Sequence, residues 1–341
     1  MKVLLAGNRG YLGSVLQDLL QRDGHEVVGL DTGFFDPVPM QPRQDVRDVT
    51  GVDLDGCDAV VNLAAMCNDA CGDLSESVTH EINSEAGARL ARLARALGAR
   101  TYVLASSCSV YGAAAGAEML DETDPVAPET AYAASKVVAE REMLALRSES
   151  FAPVALRFAT LFGDSPSFRS DIVVNRIAGT AVRWGAVRVN GTGELWRPLL
   201  HVRDAARAIA LVLAADPAAV SGEVFNVGFP DQNHQITEVV NMARDLVPSV
   251  SVSHTAAVDS RSYAVCFDKF LDRFGGFAST CSVSDGMREV VEAYQGKLQL
   301  RMRAARDGWA GTDRREFLLA MRAGGQLDTD FRWNVDSLVV A

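Results

Sequence analysis

The stretch "KVLLAGNRGYLGS", residues 2–14, decides the fold. A short apolar-leaning run is followed by a GxxGxxG turn and then by apolar residues at helical spacing; the three glycines are Gly7, Gly10 and Gly13. Between a strand and a helix, such a turn lets the backbone approach a pyrophosphate at a helix N-terminus, where the helix dipole favours negative charge. The stretch predicts a dinucleotide-binding turn, although an ordinary βα turn also fits it.

An acidic residue at the end of the second strand adds to this prediction. Asp31 follows "HEVVGL" about 20 residues after the glycine turn, where a carboxylate is expected to bind the adenine-ribose diol and to repel a 2′-phosphate. NAD is therefore favoured over NADP. Arg9, inside the glycine turn, is a candidate partner for a cofactor phosphate. It therefore weakens the predicted preference for NAD over NADP.

The rest of the chain continues the alternation of strands and helices. The pattern predicts strands at 58–65 and 100–107, a helix at 81–98 and another from residue 131. Beyond about residue 231 the rhythm breaks into short mixed elements. We predict an α/β fold, a Rossmann-type doubly wound parallel sheet with a smaller mixed α+β C-terminal lobe. Residues 1–160 and about 199–228 form the NAD-binding domain of this prediction, and about 161–198 and 229–341 form the second lobe.

Composition excludes several classes of partner and site. The 341 residues carry a formal net charge of −11, which argues against a nucleic-acid or anionic-membrane surface. The six cysteines are scattered, which favours reduced thiols and the cytoplasm. No ligand-spaced set of histidines and cysteines predicts a metal site, and no apolar run of about 18 residues predicts a membrane span. We expect a soluble protein.

Tyr132 and Lys136, in "AYAASK", lie four residues apart and therefore on one face of a helix. A phenol is a poor base at neutral pH, but a nearby ammonium and a nicotinamide cation favour the phenolate. The pair predicts a tuned proton acceptor. Considered alone, it also fits a plain contact on a helix surface.

Together the motifs resemble one family. The glycine turn, Asp31, "NLAA" after a buried strand, Ser107 before "VYG" and the Tyr132/Lys136 pair occur in the order and spacing of the extended short-chain dehydrogenase/reductases. Within that group the chain is most similar to the NAD-dependent nucleotide-sugar epimerase/dehydratase family and resembles its sugar-nucleotide 4-epimerases. The likeness continues through "LRFATLFG", "WRPLLHVRDAARA", "FNVG" and "DSRSYAVCFDK", and so covers nearly the whole chain.

The resemblance implies a catalytic role for three residues. Tyr132 is the expected base, Lys136 binds the nicotinamide ribose and lowers the pKa of the phenol, and Ser107 bridges the substrate hydroxyl and the phenol. The residues expected to bind NAD are Gly7, Arg9, Gly10, Tyr11, Leu12, Gly13, Asp31, Asp45, Val46, Leu63, Ala64, Ala65, Asn83, Ser106, Tyr132 and Lys136.

The resemblance also implies a nucleoside-diphosphate sugar as substrate. The residues expected to contact it are Met66, Cys67, Cys108, Ser109, Thr160, Asn175, Arg176, Arg197 and Arg261. An acidic protein that binds a diphosphate needs dedicated arginines, whose planar guanidinium groups suit phosphate oxygens. For each arginine a solvated surface charge is the alternative, and for Met66 and Cys67 it is packing. The C-terminal segment from residue 311 to 333 is predicted to pack as an amphipathic helix and tail without chemistry.

The residues after Ser107 discriminate between the reactions of the family. Its 4,6-dehydratases have Asp-Glu there, whereas this chain has Cys108 and Ser109, so dehydration is disfavoured. A 3,5-epimerase with Cys108 as acid/base is an alternative, although the cysteine of that class would align with Ser109. We predict 4-epimerisation. The resemblance also implies a homodimer that associates through helices at about 79–97 and 131–147. An NAD(P)H-dependent 4-ketosugar reductase is a further alternative, and a non-catalytic NAD-sensing protein is disfavoured by the Tyr132/Lys136 pair.

Overall fold

A computed structural model describes residues 1–36, 43–112, 119–256, 262–296 and 312–334. Its strands, in chain order, are β1 Lys2–Ala6, β2 Glu26–Leu30, β3 Ala59–Asn62, β4 Thr101–Ser107, β5 Ala152–Phe158, β6 Thr160–Phe162, β7 Ala186–Asn190, β8 Trp196–His201, β9 Val224–Val227, β10 Asn233–Gln235 and β11 Ser251–Thr255.

Helices alternate with most of these strands. They are α1 Tyr11–Arg22, α2 Asp69–Gly72, α3 Glu76–His80, a π-helical stretch Glu81–Ala86, α4 Gly87–Ala96, α5 Ala131–Leu144, α6 Val173–Trp184, α7 Val202–Ala214, α8 Pro217–Val220, α9 Ile236–Leu246, α10 Asp268–Arg273, α11 Val283–Gln295 and α12 Arg314–Ala323. The helix predicted to begin at residue 81 thus begins at Glu76 and contains a π-helical stretch, a feature common at functional sites.

Six parallel strands form the main sheet in the order β2-β1-β3-β4-β5-β9. Successive residues of β1 face opposite sides: Val3 and Leu5 join one apolar cluster, and Leu4 and Ala6 join another. Both faces of the sheet are therefore covered, as a parallel sheet requires. The predicted Rossmann-type doubly wound sheet is confirmed. The direction in which successive strands are added to the sheet reverses between β1 and β3. Folds of this type bind ligands at that switch point.

A smaller mixed lobe lies beside this sheet, as predicted. It contains the parallel pair β7-β11, the three-stranded sheet β10-β8-β6, and helices α6, α9 and α11. Its apolar cluster includes Phe162, Val174, Val239 and Met287.

The segment 312–334 lies in a different place from the one predicted. Leu318 and Phe331 join the apolar cluster that contains Leu4, and the indole of Trp333 donates a hydrogen bond to the carbonyl of Thr32 at 2.7 Å. This segment therefore packs on the NAD-binding half, and its assignment to the second lobe was wrong. The sequence pattern could not show this, because an amphipathic helix does not specify which apolar surface it covers.

Candidate active site

A cleft of about 1140 Å³ opens at the carboxyl ends of the parallel strands and continues into the second lobe. Gly7 and Asp31 line one end, Tyr132 lines the middle, and Arg197 lines the part formed by the second lobe. The cleft therefore joins the predicted cofactor residues to several of the predicted substrate residues.

At two positions of the glycine turn before α1, steric contacts allow only glycine. Gly7 has a φ of +84°, and a Cβ there would lie 2.9 Å from the backbone nitrogen of Ala64. A Cβ on Gly13 would lie 1.9 Å from the carbonyl oxygen of Gly7. The glycines thus let α1 pack directly on the turn, with Gly10, Tyr11 and Leu12 lining the cleft at the helix N-terminus.

Asp31 stands at the cleft with its carboxylate held by backbone amides. It accepts hydrogen bonds from the amides of Arg9 at 3.0 Å and Gly33 at 2.8 Å. Burial raises the pKa of Asp31 and these amides oppose the rise. The guanidinium of Arg9 pairs with Asp36 at 2.7 Å and is not part of the cleft wall, and its contact with a cofactor phosphate stays a prediction.

The three predicted catalytic residues come together in the middle of the cleft. Ser107 ends β4, and Tyr132 and Lys136 lie one turn apart on α5, which Thr130 caps by accepting a hydrogen bond from the amide of Ala133 at 3.1 Å. The ammonium of Lys136 donates to the carbonyl of Ala105 at 2.8 Å and lies 5.7 Å from the centre of the Tyr132 ring.

The electrostatics of this group follow from its burial. Burial raises the pKa of Tyr132 well above its usual range, and a hydrogen bond with Ser107 and the charge of Arg169 oppose the rise. Burial also lowers the pKa of Lys136 to about 8. The phenol is therefore protonated at neutral pH in the cofactor-free protein.

Three predicted residues around this centre have other roles. Asn83, in the π-helical stretch, is 1% exposed and accepts a hydrogen bond from the amide of Met66 at 2.8 Å, so it positions the loop rather than binding NAD. Ser106 lines the cleft, but its hydroxyl donates to the buried carboxylate of Glu140. Cys108 is 1% exposed and its thiol donates to the carbonyl of Arg157 at 3.2 Å.

The position of Cys108 removes one alternative reaction. Burial raises the pKa of its thiol, and the residue does not line the cleft, whereas the next residue, Ser109, does. The predicted contact of Cys108 with substrate is therefore wrong, and a 3,5-epimerase that uses this thiol is excluded by the geometry. Cys108 and Ser109 lie in a 3₁₀ turn, Cys108–Tyr111, that follows β4, and successive side chains of such a turn point in directions about 120° apart, which explains the difference.

Asn175 is also not a substrate ligand in this structure. It is 0% exposed, its amide oxygen accepts from the backbone nitrogen of Gly163 at 3.0 Å, and its amide nitrogen donates to the carbonyl of Arg169 at 2.8 Å. Because these bonds use both ends of the amide, Asn175 organises the loop between β6 and α6.

The other predicted substrate residues that the structure describes line the cleft; they are Met66, Cys67, Ser109, Thr160, Arg176 and Arg197. Asp45, Val46, Leu63, Ala64 and Ala65 also line it, as predicted for the cofactor. The guanidinium of Arg197 lies 5.5 Å from the centre of the Tyr263 ring. Arg261 lies outside the described residues.

Three arginines that the sequence did not single out also line the cleft: Arg169, Arg188 and Arg314. Arg169 forms a two-point ion pair with Asp171 at 2.9 and 2.7 Å and donates to the carbonyl of Cys67 at 3.0 Å. Arg314, in the segment predicted to have no chemistry, is 2% exposed and donates to the carbonyl of Ser167 at 3.0 Å. No spacing in the sequence indicates that positions so far apart meet.

Three potential metal ligands meet outside the cleft within the described chain. His201, Cys281 and Glu289 have ligand atoms within 4.8 Å of one another. Glu289 already accepts from His201 at 2.7 Å and pairs with Arg203 at 2.9 Å, so its charge is balanced by a guanidinium. The expectation that the chain holds no metal stays a prediction.

Comparison with known proteins identifies the family. The sequence model of the NAD dependent epimerase/dehydratase family matches residues 3–228. The chain belongs to this family. It is 31% identical over 250 residues to the UDP-glucose 4-epimerase of Mycolicibacterium smegmatis, an alignment that covers 67% of this chain and 77% of the relative.

Two further similarities extend this result. An uncharacterized UDP-glucose epimerase of Bacillus subtilis, YtcB, is 26% identical over 270 residues, or 72% of this chain and 82% of its own. The solved structure of MoeE5 with UDP-glucuronic acid and NAD is 26% identical and superimposes with a TM-score of 0.77 over 87% of this chain and 99% of its own. The family and its fold therefore agree with the resemblance seen in the sequence.

Membership of this family makes the protein an NAD-dependent enzyme. NAD fits the residues present: the glycine turn and the N-terminus of α1 line one end of the cleft, and Asp31 lines the same end with its carboxylate held by two backbone amides. Similar proteins also include a UDP-glucuronic acid decarboxylase and nucleotide-sugar dehydratases, so the family alone does not select one reaction. None of the helices in the described ranges is long and apolar enough to cross a membrane.

Proposed function

We propose that the protein is a 4-epimerase of a nucleoside-diphosphate sugar. The observation that carries this proposal is a cleft with Ser107, Tyr132 and Lys136 together but no carboxyl group at either position after Ser107. Cys108 points away and Ser109 offers only a hydroxyl. The relative with 31% identity is named a UDP-glucose 4-epimerase, which supports the same choice.

Two other carboxylates that line the cleft already have partners within the protein. Asp69 accepts a hydrogen bond from Thr130 at 2.6 Å, and Asp171 is paired with Arg169 at 2.7 Å. Neither is placed as a free general acid for the elimination of water. This favours simple hydride exchange over dehydration.

The mechanism assigns the proton to Tyr132. Bound NAD supplies a reversible hydride acceptor for a sugar carbon. In the cofactor-free protein the Tyr132 phenol is protonated, and the positive charge of the bound nicotinamide, together with the Lys136 ammonium 5.7 Å from the ring centre, would lower its pKa. The resulting phenolate takes the proton of the sugar hydroxyl, and the Ser107 hydroxyl bridges the two oxygens. The same three side chains return the proton after the sugar has turned, so this step needs no further acid or base.

The second lobe supplies the charge for the diphosphate. Arg176 and Arg197 line its part of the cleft, in a chain whose net charge is −11. Planar guanidinium groups bind phosphate oxygens by paired hydrogen bonds. When the substrate is held by its diphosphate, the sugar ring can rotate at the catalytic centre and present its opposite face.

The test uses a panel of sugar nucleotides deuterated at C4, without added NAD. An epimer formed with deuterium retained and no net NADH establishes the 4-epimerase, whereas strict dependence on added reductant establishes the reductase instead. Tyr132→Phe should abolish turnover. Tyr102→Phe removes a buried hydroxyl that bonds Asn62 at 2.9 Å outside the cleft and is the matched control.

We further propose a homodimer that associates through the helices at about 79–97 and 131–147, in a reducing compartment such as the cytoplasm. Within one chain these two helices lie side by side, with the Ser84 hydroxyl donating to the Ser135 carbonyl at 2.9 Å, so a second copy can meet both of them at one surface. All six cysteines are free thiols, which supports a reducing compartment. Light scattering that finds only monomer would refute the dimer.

A further inference from the structure

Two thiols meet in the loop that connects β3 to α3. Cys67 precedes α2 and Cys71 lies within it, and both line the cleft together with Ser107 and Tyr132. Cys67 lies two residues before the first residue of α2 and Cys71 lies in its first turn, which brings the two thiols within interaction distance on one wall of the cleft. Both are free. No step of the proposed epimerisation uses either of them.

The surroundings of this pair favour a thiolate at Cys67. The hydrogen bond from Cys71 lowers the pKa of Cys67 to about 6, and the charges of Arg169 and Arg314 act in the same direction, against burial and Asp171. This shift favours the thiolate of Cys67 at neutral pH. The thiolate is the reactive form of cysteine.

The remaining cysteines differ in this respect. Burial raises the pKa of Cys57, Cys108, Cys266 and Cys281. A low-pKa thiolate that lines an open cleft beside a second thiol is the arrangement found in redox-sensitive cysteines. The chain thus concentrates thiol reactivity at the active site.

We propose that Cys67 and Cys71 form a redox-reactive dithiol, which a hydroperoxide converts to an intramolecular disulfide inside the active-site cleft. The Cys67 sulfur attacks the hydroperoxide; an S–O bond forms, the O–O bond breaks, and an alcohol leaves after taking a proton. The Cys71 thiol then attacks the Cys67 sulfur; an S–S bond forms, the S–O bond breaks, and water leaves with the Cys71 proton. The two thiols lose two electrons in total, and the hydroperoxide is reduced to alcohol and water.

The loop that carries the pair lies directly against the catalytic tyrosine. A Cβ on Gly72, the residue after Cys71, would lie 3.0 Å from the Cβ of Tyr132. Asp69, between the two cysteines, accepts a hydrogen bond from Thr130, the residue that caps α5, at 2.6 Å. A disulfide at positions 67 and 71 therefore shifts the loop at its contact with α5. We expect turnover to stop; that effect rests on the proposed function, but formation of the disulfide does not.

The disulfide itself is tested by peptide mapping of the NAD-loaded protein treated with hydrogen peroxide. After free thiols are alkylated, a protease that cuts before aspartate separates Cys67 on peptide 58–68 from Cys71 on peptide 69–72. We expect these two peptides to be linked, and to separate after treatment with dithiothreitol. Peptides that are found only alkylated, or oxidised without a link, overturn the proposal.

Three variants test the roles of the two thiols. Cys67→Ser should be inactivated by peroxide at least about tenfold more slowly than the wild type. Cys71→Ser should still be inactivated, but recovery in dithiothreitol should be lost as peroxide exposure lengthens, because a Cys67 sulfenic acid without a partner thiol is oxidised further to the sulfinic acid, which dithiothreitol does not reduce. Cys266→Ser removes a partly exposed thiol outside the cleft and should behave as the wild type. A Cys67→Ser protein as sensitive as the wild type contradicts the proposal. If no sugar nucleotide is turned over, the peptide map still decides on the disulfide.

Discussion

Replacing Lys136 by methionine tests whether burial of the protonated Lys136 side chain lowers the stability of the folded protein. The side chain is 2% exposed, and burial lowers its pKa from 10.5 to about 8. At about 1.36 kcal/mol per pKa unit, the protonated lysine is destabilised by roughly 3 kcal/mol relative to its state in the unfolded chain. Methionine has a similar length and no charge, but leaves the carbonyl of Ala105 without its hydrogen bond, a loss of about 1 kcal/mol. We therefore expect Lys136→Met to be more stable at pH 7 by roughly 2 kcal/mol and to be inactive.

The pH dependence of this effect has a definite sign. The folded pKa of Lys136 lies below the unfolded one, so the folded state binds fewer protons between about pH 8 and 10.5. The stability of the wild type should therefore rise relative to Lys136→Met as the pH rises through this window, and the advantage of the variant should disappear.

Urea unfolding of the NAD-free proteins from pH 7 to pH 10 measures this difference. Groups that titrate in both proteins cancel in the comparison. Lys269→Met, at an exposed lysine, is the control and should show no such pH-dependent gain. A gap between wild type and Lys136→Met that does not change with pH, or a variant less stable at pH 7, would refute the reasoning.

Three further predictions concern the cleft and its surroundings. Gly13→Ala places a Cβ 1.9 Å from the Gly7 carbonyl and should weaken NAD binding at least roughly tenfold in a fluorescence titration, whereas Gly275→Ala, with open space around it, should not. Asp31→Asn should weaken NAD binding by about tenfold and raise the ratio of NADP to NAD affinity, measured by calorimetry; an unchanged ratio contradicts its role at the ribose. Cys108→Ala should keep the wild-type kcat and lose about 1–2 kcal/mol of stability through a small cavity; a kcat at least about tenfold lower would return this thiol to the active site.

Local sequence patterns determined the fold, the family and the cofactor. A strand, a glycine turn and a helix are contiguous in the chain, so their glycines and Asp31 predict the cofactor end of the cleft directly. Tyr132 and Lys136 share a helix face because four residues make about one turn. The structure brings both to Ser107, since the carboxyl end of β4 lies beside α5. In each case the chemistry is carried by residues close in sequence or by a regular element.

Tertiary structure alone decided the rest of the site. The direction in which the Cys108 side chain points depends on the path of the chain after β4. The burial of the Asn175 side chain depends on the loop that folds around it. Arg314 reaches the cleft only because α12 packs on the NAD-binding half. The charges of Arg169 and Arg314, from two distant segments, meet at Cys67 and lower the pKa of its thiol. Such a pKa depends on the distances and burial of groups far apart in the chain, which the order of residues does not encode locally but the packed fold sets.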